Sequence, residues 1–443
     1  MATGTNHNSQ SSILNSQLNE FDEIRPYEPS EMKQAFEDLI NDRQFSLVLK
    51  GFAPWLPRWA RNGLLRLAFI GVKTPLDFQK RFMKPVVNWI VRKHTDGLTF
   101  DDNALKIDNG ELKIENYDLS HGGDVADKPG MQGNHNSQFS TLNSQFDSRY
   151  TFVSNHRDIV LDSAFLDVLL VGGGYPTTVE IGIGDNLLIY PWIKRLVRMN
   201  KAFTVRRGLT AHEMMRSSQL MSRYIHYAVT QKHENIWIAQ REGRAKDSDD
   251  RTQDSVLKML AMGGPSLKEL NIVPLTISYQ FDPCDYLKAQ EMQLKRDNPA
   301  FKKSRQDDLD NMRTGIFGWK GEVVYRCGTP VNAWIDELEG LPKNEFFSSL
   351  SHRIDREIHA GYELFYTNYL ALDMLEGGEQ YCRMYYGERC NSKEIDEIKK
   401  SFEQYVQGQI DKINIPDKDE AFLRECILNM YANPLRNYLA AKR

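Results

Sequence analysis

Asn155-His156-Arg157-Asp158 follows a short apolar run, Tyr150 to Val153, and a second aspartate, Asp162, stands six positions beyond the histidine. An imidazole titrates near neutral pH, so a histidine at the end of a strand can take a proton from a hydroxyl. A carboxylate on its other ring nitrogen sets the tautomer and stabilises the imidazolium that forms. Asp158 and Asp162 both compete for that place. Taken alone, the pair also reads as a capping aspartate beside a hydrogen-bonded histidine. Cations recur downstream, with Arg206 and Arg207 closing "KAFTVRRG" and Arg244 and Lys246 following Glu242-Gly243 in "REGRAKDSDD". Guanidinium groups bind phosphate oxygens bidentately. Arg207 and Arg244, with Lys246 and Arg157, are therefore candidate contacts to an anionic substrate, and Glu242 is a carboxylate to orient them. Main-chain N–H groups opening the helix after Asn155 are candidate donors to a developing oxyanion. No G-x-S-x-G elbow is present, so the base would serve an external hydroxyl.

These residues must be carried by elements that bring distant segments together. From Tyr150 onward the chain alternates two patterns. "YTFVSN", "TTVEIGIG", "AFTVRR", "NIWIAQREG", "NIVPLTISYQ" and "GEVVYRCGTPV" have strand character. "LDSAFLDVLLV", "IYPWIKRLVRM" and "HEMMRSSQLMSRYIHYAVTQK" have helical spacing. Such alternation predicts an α/β domain over residues 149–332 with a mixed sheet flanked by helices. A helical C-terminal extension over 333–443 is expected to follow it. Ahead of the domain the reading gives a disordered polar tail over 1–28, a basic aromatic helical region over 29–119 and a low-complexity loop over 120–148. Two polar tracts, "NSQSSILNSQL" and "NSQFSTLNSQF", approximate one repeated heptapeptide and read as poorly packing segments. "GGGYP" (172–176) reads as a turn, and "DSDD" (247–250) as a solvated loop that lacks the glycine and distal glutamate of a calcium loop.

Composition narrows the partners. The 443-residue chain carries a formal net charge of -4, which argues against nucleic-acid binding by bulk positive charge. Its five cysteines form no C-x-x-C pair, and the histidines of 212–233 lack metal-ligand spacing, so no metal and no resident cofactor is assigned. Neither a signal peptide nor an apolar run of 18 residues is visible, and a cytoplasmic protein is expected. Between Arg43 and Thr95, however, eleven Lys or Arg residues face one acid, Asp77. They interleave with Phe45, Phe52, Trp55, Trp59, Phe69, Phe78, Phe82 and Trp89. That mixture suits an anionic membrane surface, or equally a helical layer with aromatic core and solvated charge.

The ordered set around Asn155-His156, "KAFTVRRG", "IWIAQREGRAKDSDDRT" and "IVPLTISY" resembles the four blocks of the glycerolipid acyltransferase superfamily. The second block resembles the "GAFFIRR" of glycerol-3-phosphate acyltransferases, and "GEVVYRCGTPV" resembles the family's closing strand. The resemblance covers roughly Tyr150 to Val331. It departs from the family in the H-x5-D spacing of His156 and Asp162, where the family has H-x4-D, and in Arg244 following Gly243 directly. It implies His156 and Asp162 as the catalytic pair, Asp162 being preferred to Asp158 because an apolar helix follows it. It further implies substrate contacts from Arg157, Arg207, Glu242, Gly243, Arg244 and Lys246. The implied reaction moves a fatty acyl group from acyl-CoA or acyl carrier protein to glycerol-3-phosphate or lysophosphatidate, at the inner face of a membrane. The alternatives are acylation of an amino-acid lipid or another lyso-lipid, and a non-catalytic lipid-binding protein of the same fold.

Overall fold

The computed structural model describes residues 20–106, 117–118, 148–387 and 392–443. The two polar tracts, and the expected loop of 120–148 up to residue 147, lie outside the described residues. The described residues form eight strands: β1 (Gly97–Asp101), β2 (Tyr117–Asp118), β3 (Thr151–Ser154), β4 (Val179–Gly184), β5 (Ala202–Val205), β6 (Asn235–Ala239), β7 (Ile272–Tyr279) and β8 (Glu322–Cys327). The architecture is α/β with mixed strand directions. The chain divides into two compact units. One is residues 1–86, 177–237 and 258–270; the other is 87–176, 238–257 and 271–443.

The first unit pairs β4 in parallel with β5 and with the start of β6. Helix Pro191–Met199 runs from β4 to β5 and helix Ala211–Thr230 from β5 to β6, as parallel neighbours require. Helix Met32–Asn41 turns Met32, Phe36, Leu39 and Ile40 inward at helical spacing. They meet Phe69, Phe78 and Met199 in one core, where the rings of Phe36 and Phe69 stack with centroids 3.8 Å apart. The expected tail is corrected here, since residues 20–28 are ordered. Phe21 and Ile24 are buried, the Phe21 ring lies against Tyr224 and Tyr227, and the Thr204 N–H donates to the Ile24 carbonyl at 2.8 Å. Two apolar residues do not lift a polar tract above its composition, yet a preformed apolar site suffices to order them.

In the second unit the strand order is β2-β1-β8-β7-β3. β1 runs parallel to β8, β8 antiparallel to β7, and β7 parallel to β3. All eight residues of β7 are buried, which explains its nearly unbroken apolar sequence. Strand β1 falls within the stretch expected to be helical over 29–119. Only Leu98 and Phe100 of its five residues are buried, an alternation too short to stand out beside the basic helix Lys84–His94. The helices after residue 333 belong to this unit. Helix Asp285–Asp297 joins Tyr366–Glu376, Ser392–Asp411 and Glu420–Ala441 around Leu370, Phe402, Val406, Leu423 and Ile427. The segment 149–332 is therefore shared between two units rather than folding as one.

Candidate active site

All of the geometry around His156 lies within the second unit. Strand β3 ends at Ser154, and Asn155 extends its pairing with β7 by side chain. Its Nδ2 donates to the Ile277 carbonyl at 2.9 Å and its Oδ1 accepts the Ile277 N–H at 2.8 Å. That double bridge sets the direction in which the chain leaves the sheet. The next residues wrap the carboxylate of Asp162, which is fully buried in the first turn of helix Leu161–Gly172. Asp162 Oδ2 accepts the N–H groups of Arg157 at 2.6 Å and Asp158 at 3.1 Å, and lies 2.8 Å from His156 Nδ1. Tyr279, at the end of β7, donates its hydroxyl to Asp162 Oδ1 at 3.2 Å. Tyr325, on β8, donates to the Asp162 main-chain carbonyl at 2.9 Å. An oxygen that already accepts two N–H groups accepts a third proton from Nδ1, leaving Nε2 as the basic nitrogen of the neutral ring. The His156 side chain is 15% exposed.

The extra residue between His156 and Asp162 is thus taken up by a loop that folds around the carboxylate. Asp158 has a different place. Its Oδ1 accepts the N–H groups of Val160 and Leu161, each at 2.8 Å, and so closes the start of the helix. Burial and then the neighbouring Asp162 push the Asp158 carboxyl above its ordinary range. The expected oxyanion donors need correction as well. The N–H groups of Arg157 and Asp158 are committed to Asp162, and those of Val160 and Leu161 to Asp158.

Of the expected substrate contacts, Arg157 belongs to this corner through its main chain, and the charge of Arg244 acts on Asp158. Gly243 precedes Arg244 with φ +70°, a left-handed conformation that suits glycine. The Arg244 guanidinium is buried, donates through Nη2 to Asn311 Oδ1 at 3.1 Å, and has no partner at Nη1 among the described residues. A buried donor without a partner costs about 1–3 kcal/mol unless something fills it. Arg157 is instead buried beside Asp282, 3.7 Å away, which is ion-paired with buried Lys288. Burial would raise the Asp282 carboxyl, but Lys288 and Arg157 hold it below its usual value. Lys246 pairs with Glu291 at 2.9 Å. Burial and the nearby Arg244 bring the Lys246 ammonium down to about 8. Glu242 and Gly243 are exposed at the turn. Arg207 belongs to the first unit, where its N–H donates to Asp185 Oδ1 at 3.1 Å.

The loop carrying Arg244 is not solvated, contrary to expectation for residues 247–250. Ser248 and Asp250 are fully buried. The Gln240 N–H donates to the Ser154 carbonyl and the Gln253 N–H to the Gln240 carbonyl, so both ends of the loop are tied beside β3. Helix Glu420–Ala441 grips its middle, with Asn433 donating to the Asp247 carbonyl and Asn437 to Asp249 Oδ1, each at 2.9 Å. From helix Lys343–Ala360, Asp355 accepts the Thr252 N–H at 2.7 Å, and His359 Nε2 lies 3.1 Å from the Asp250 carbonyl. The C-terminal helices are thus the scaffold of this loop. Tyr279, Tyr325, Lys288 and Asn311 escaped the reading of the sequence. For the two tyrosines a signal existed, because a buried tyrosine in an aliphatic strand needs a partner for its hydroxyl.

No protein-family model matches the chain, and no curated protein matches it significantly.

Proposed function

We propose that the protein is an O-acyltransferase of the glycerolipid acyltransferase type, with His156 as general base and Asp162 as the residue that positions it. The observation that carries this reading is the 2.8 Å contact of His156 Nδ1 with a buried carboxylate held by two main-chain N–H groups. A hydroxyl of the acceptor gives its proton to Nε2 while its oxygen attacks the thioester carbonyl of acyl-CoA or acyl carrier protein. The C–S bond breaks, an ester C–O bond forms, and the imidazolium returns the proton to the leaving thiolate. No enzyme nucleophile is needed. The unpartnered Nη1 of Arg244 supports an anionic acceptor, such as the phosphate of glycerol-3-phosphate or lysophosphatidate.

The test is acyl transfer from labelled thioester donors to a panel of phosphorylated glycerols, amino-acid lipids and lyso-lipids, with the product identified. His156→Ala should lower turnover by at least about 10²-fold with an unchanged circular dichroism spectrum and melting temperature. Full turnover in purified His156→Ala would eliminate the mechanism.

A further inference from the structure

Two helices of the first unit, Arg43–Phe52 and Arg58–Phe69, send Phe45, Leu65 and Phe69 to the core but also bury polar groups and leave large apolar ones outside. The buried polar groups include Arg61 and Asn62. Buried Arg61 reaches back to the carbonyls of Ser46 and Ala53, each at 3.5 Å, and buried Asn62 donates to the Ile40 carbonyl at 3.1 Å. Arg58 donates to the Asn41 carbonyl at 2.7 Å. Outside, among exposed cations, stand large apolar side chains: Trp55 is 77% exposed, Trp59 78%, Ile70 68%, Leu67 64% and Leu47 63%. Trp59 and Leu67 fall within one arc of the second helix at 100° per residue, Ile70 follows its last residue, and Trp55 sits in the link between the helices. A helix facing water places its apolar stripe toward the core and its charges outward. Here large apolar side chains stand outward together, which marks an interaction surface.

We propose that this hairpin docks the protein on an anionic lipid surface, with Trp55 and Trp59 entering the interface. Charge selects that occupant. From Arg43 to Leu76 the sequence contains no Asp or Glu. Arg43, Lys50 and Lys73 are exposed, and Arg43 and Lys50 flank Leu47 on the outer arc of the first helix. Tryptophan with a rim of lysine and arginine suits a headgroup layer, where the rings bury their faces and the cations meet lipid phosphate. No helix is long and apolar enough to cross a membrane among the described residues, so the contact would be peripheral. The proposal does not rest on acyl transfer, and His156→Ala should bind lipid like the wild type.

The full chain is tested by co-sedimentation with phosphatidylglycerol-containing and with pure phosphatidylcholine vesicles, from low salt to about 0.5 M. Binding should favour the anionic vesicles and fall with salt. Trp55→Ser with Trp59→Ser should lower the partition coefficient by at least about tenfold while the melting temperature stays unchanged. Lys50→Glu with Lys73→Glu should weaken binding to anionic vesicles only. Wild-type protein that ignores vesicles, or a double-serine variant that binds as well as wild type, would overturn the proposal. So would a dimer in sedimentation velocity that the double-serine variant dissolves without any vesicle binding, because the surface would then join two copies of the chain.

Discussion

Around His156 the second unit buries charge, and between Arg43 and Ile70 the first unit exposes hydrocarbon. Each choice costs free energy in water, and the two are offset differently. In the first case the compensation is internal. Asp162 accepts two main-chain N–H groups and a tyrosine hydroxyl, Asp158 accepts two N–H groups, and Asp282 faces Lys288 and Arg157. A buried carboxylate so satisfied is rigid, which suits a residue that must hold a ring at one angle. In the hairpin Trp55 and Trp59 stay exposed among the described residues. The difference separates a buried carboxylate cluster satisfied from within from an apolar surface left in solvent.

The sharpest break of this comparison is at the carboxylates. Asp162→Asn would turn an amide N–H₂ toward main-chain donors or toward the imidazole, and should cost about 10²–10⁴-fold in turnover. Asp158→Asn keeps an oxygen for the Val160 and Leu161 N–H groups and should cost less than about threefold. Steady-state acyl transfer measures both. The reverse ranking would make Asp158 the partner of His156 in the working enzyme.

Next in size is stability. Lys288→Met leaves Asp282 buried with only the more distant Arg157, and should destabilise the protein by about 3 kcal/mol. Trp59→Ser, with its side chain already in solvent, should change stability by less than about 0.5 kcal/mol. Urea midpoints at constant m-value read both effects. Equal losses would mean that the hairpin surface is part of the fold's own core.

The smallest effect concerns pH. Burial would raise the Glu291 carboxyl, but Lys246, Lys295 and Lys303 outweigh it and hold the group at about 2. A carboxyl lowered on folding binds fewer protons in the folded chain than in the unfolded one. Its contribution is complete above about pH 4.5 and is lost as pH falls toward 2. After solvent screening this is about 1–2 kcal/mol. Glu291→Gln should therefore be less stable than wild type at pH 6, and the gap should narrow below about pH 4.5 and close only as pH reaches about 2. A gap independent of pH would show that packing, and not charge, sets the role of Glu291.

Much of this was written locally. Period-two and helical spacing gave the strands and helices from Tyr150 onward, because each pattern is a local record of which face is buried. The motif order around His156 and Arg244, the lack of a serine elbow and the basic aromatic stretch are likewise properties of neighbouring residues. Other features depend on partners far along the chain. Asp162 rather than Asp158 meets His156 because residues 156–158 fold around it, with Tyr279 and Tyr325 arriving from β7 and β8. Residues 247–250 look solvated until Asn433 and Asn437 reach them from the last helix. Phe21 and Ile24 look like tail until helix Ala211–Thr230 and β5 receive them. The basic stretch held both a core and a surface, and only packing sorted Phe69 and Phe78 inward and Trp55 and Trp59 outward. Spacing along a chain encodes which residues share a face, whereas what that face meets is decided by segments more than a hundred positions away, as with Asn155 and Ile277.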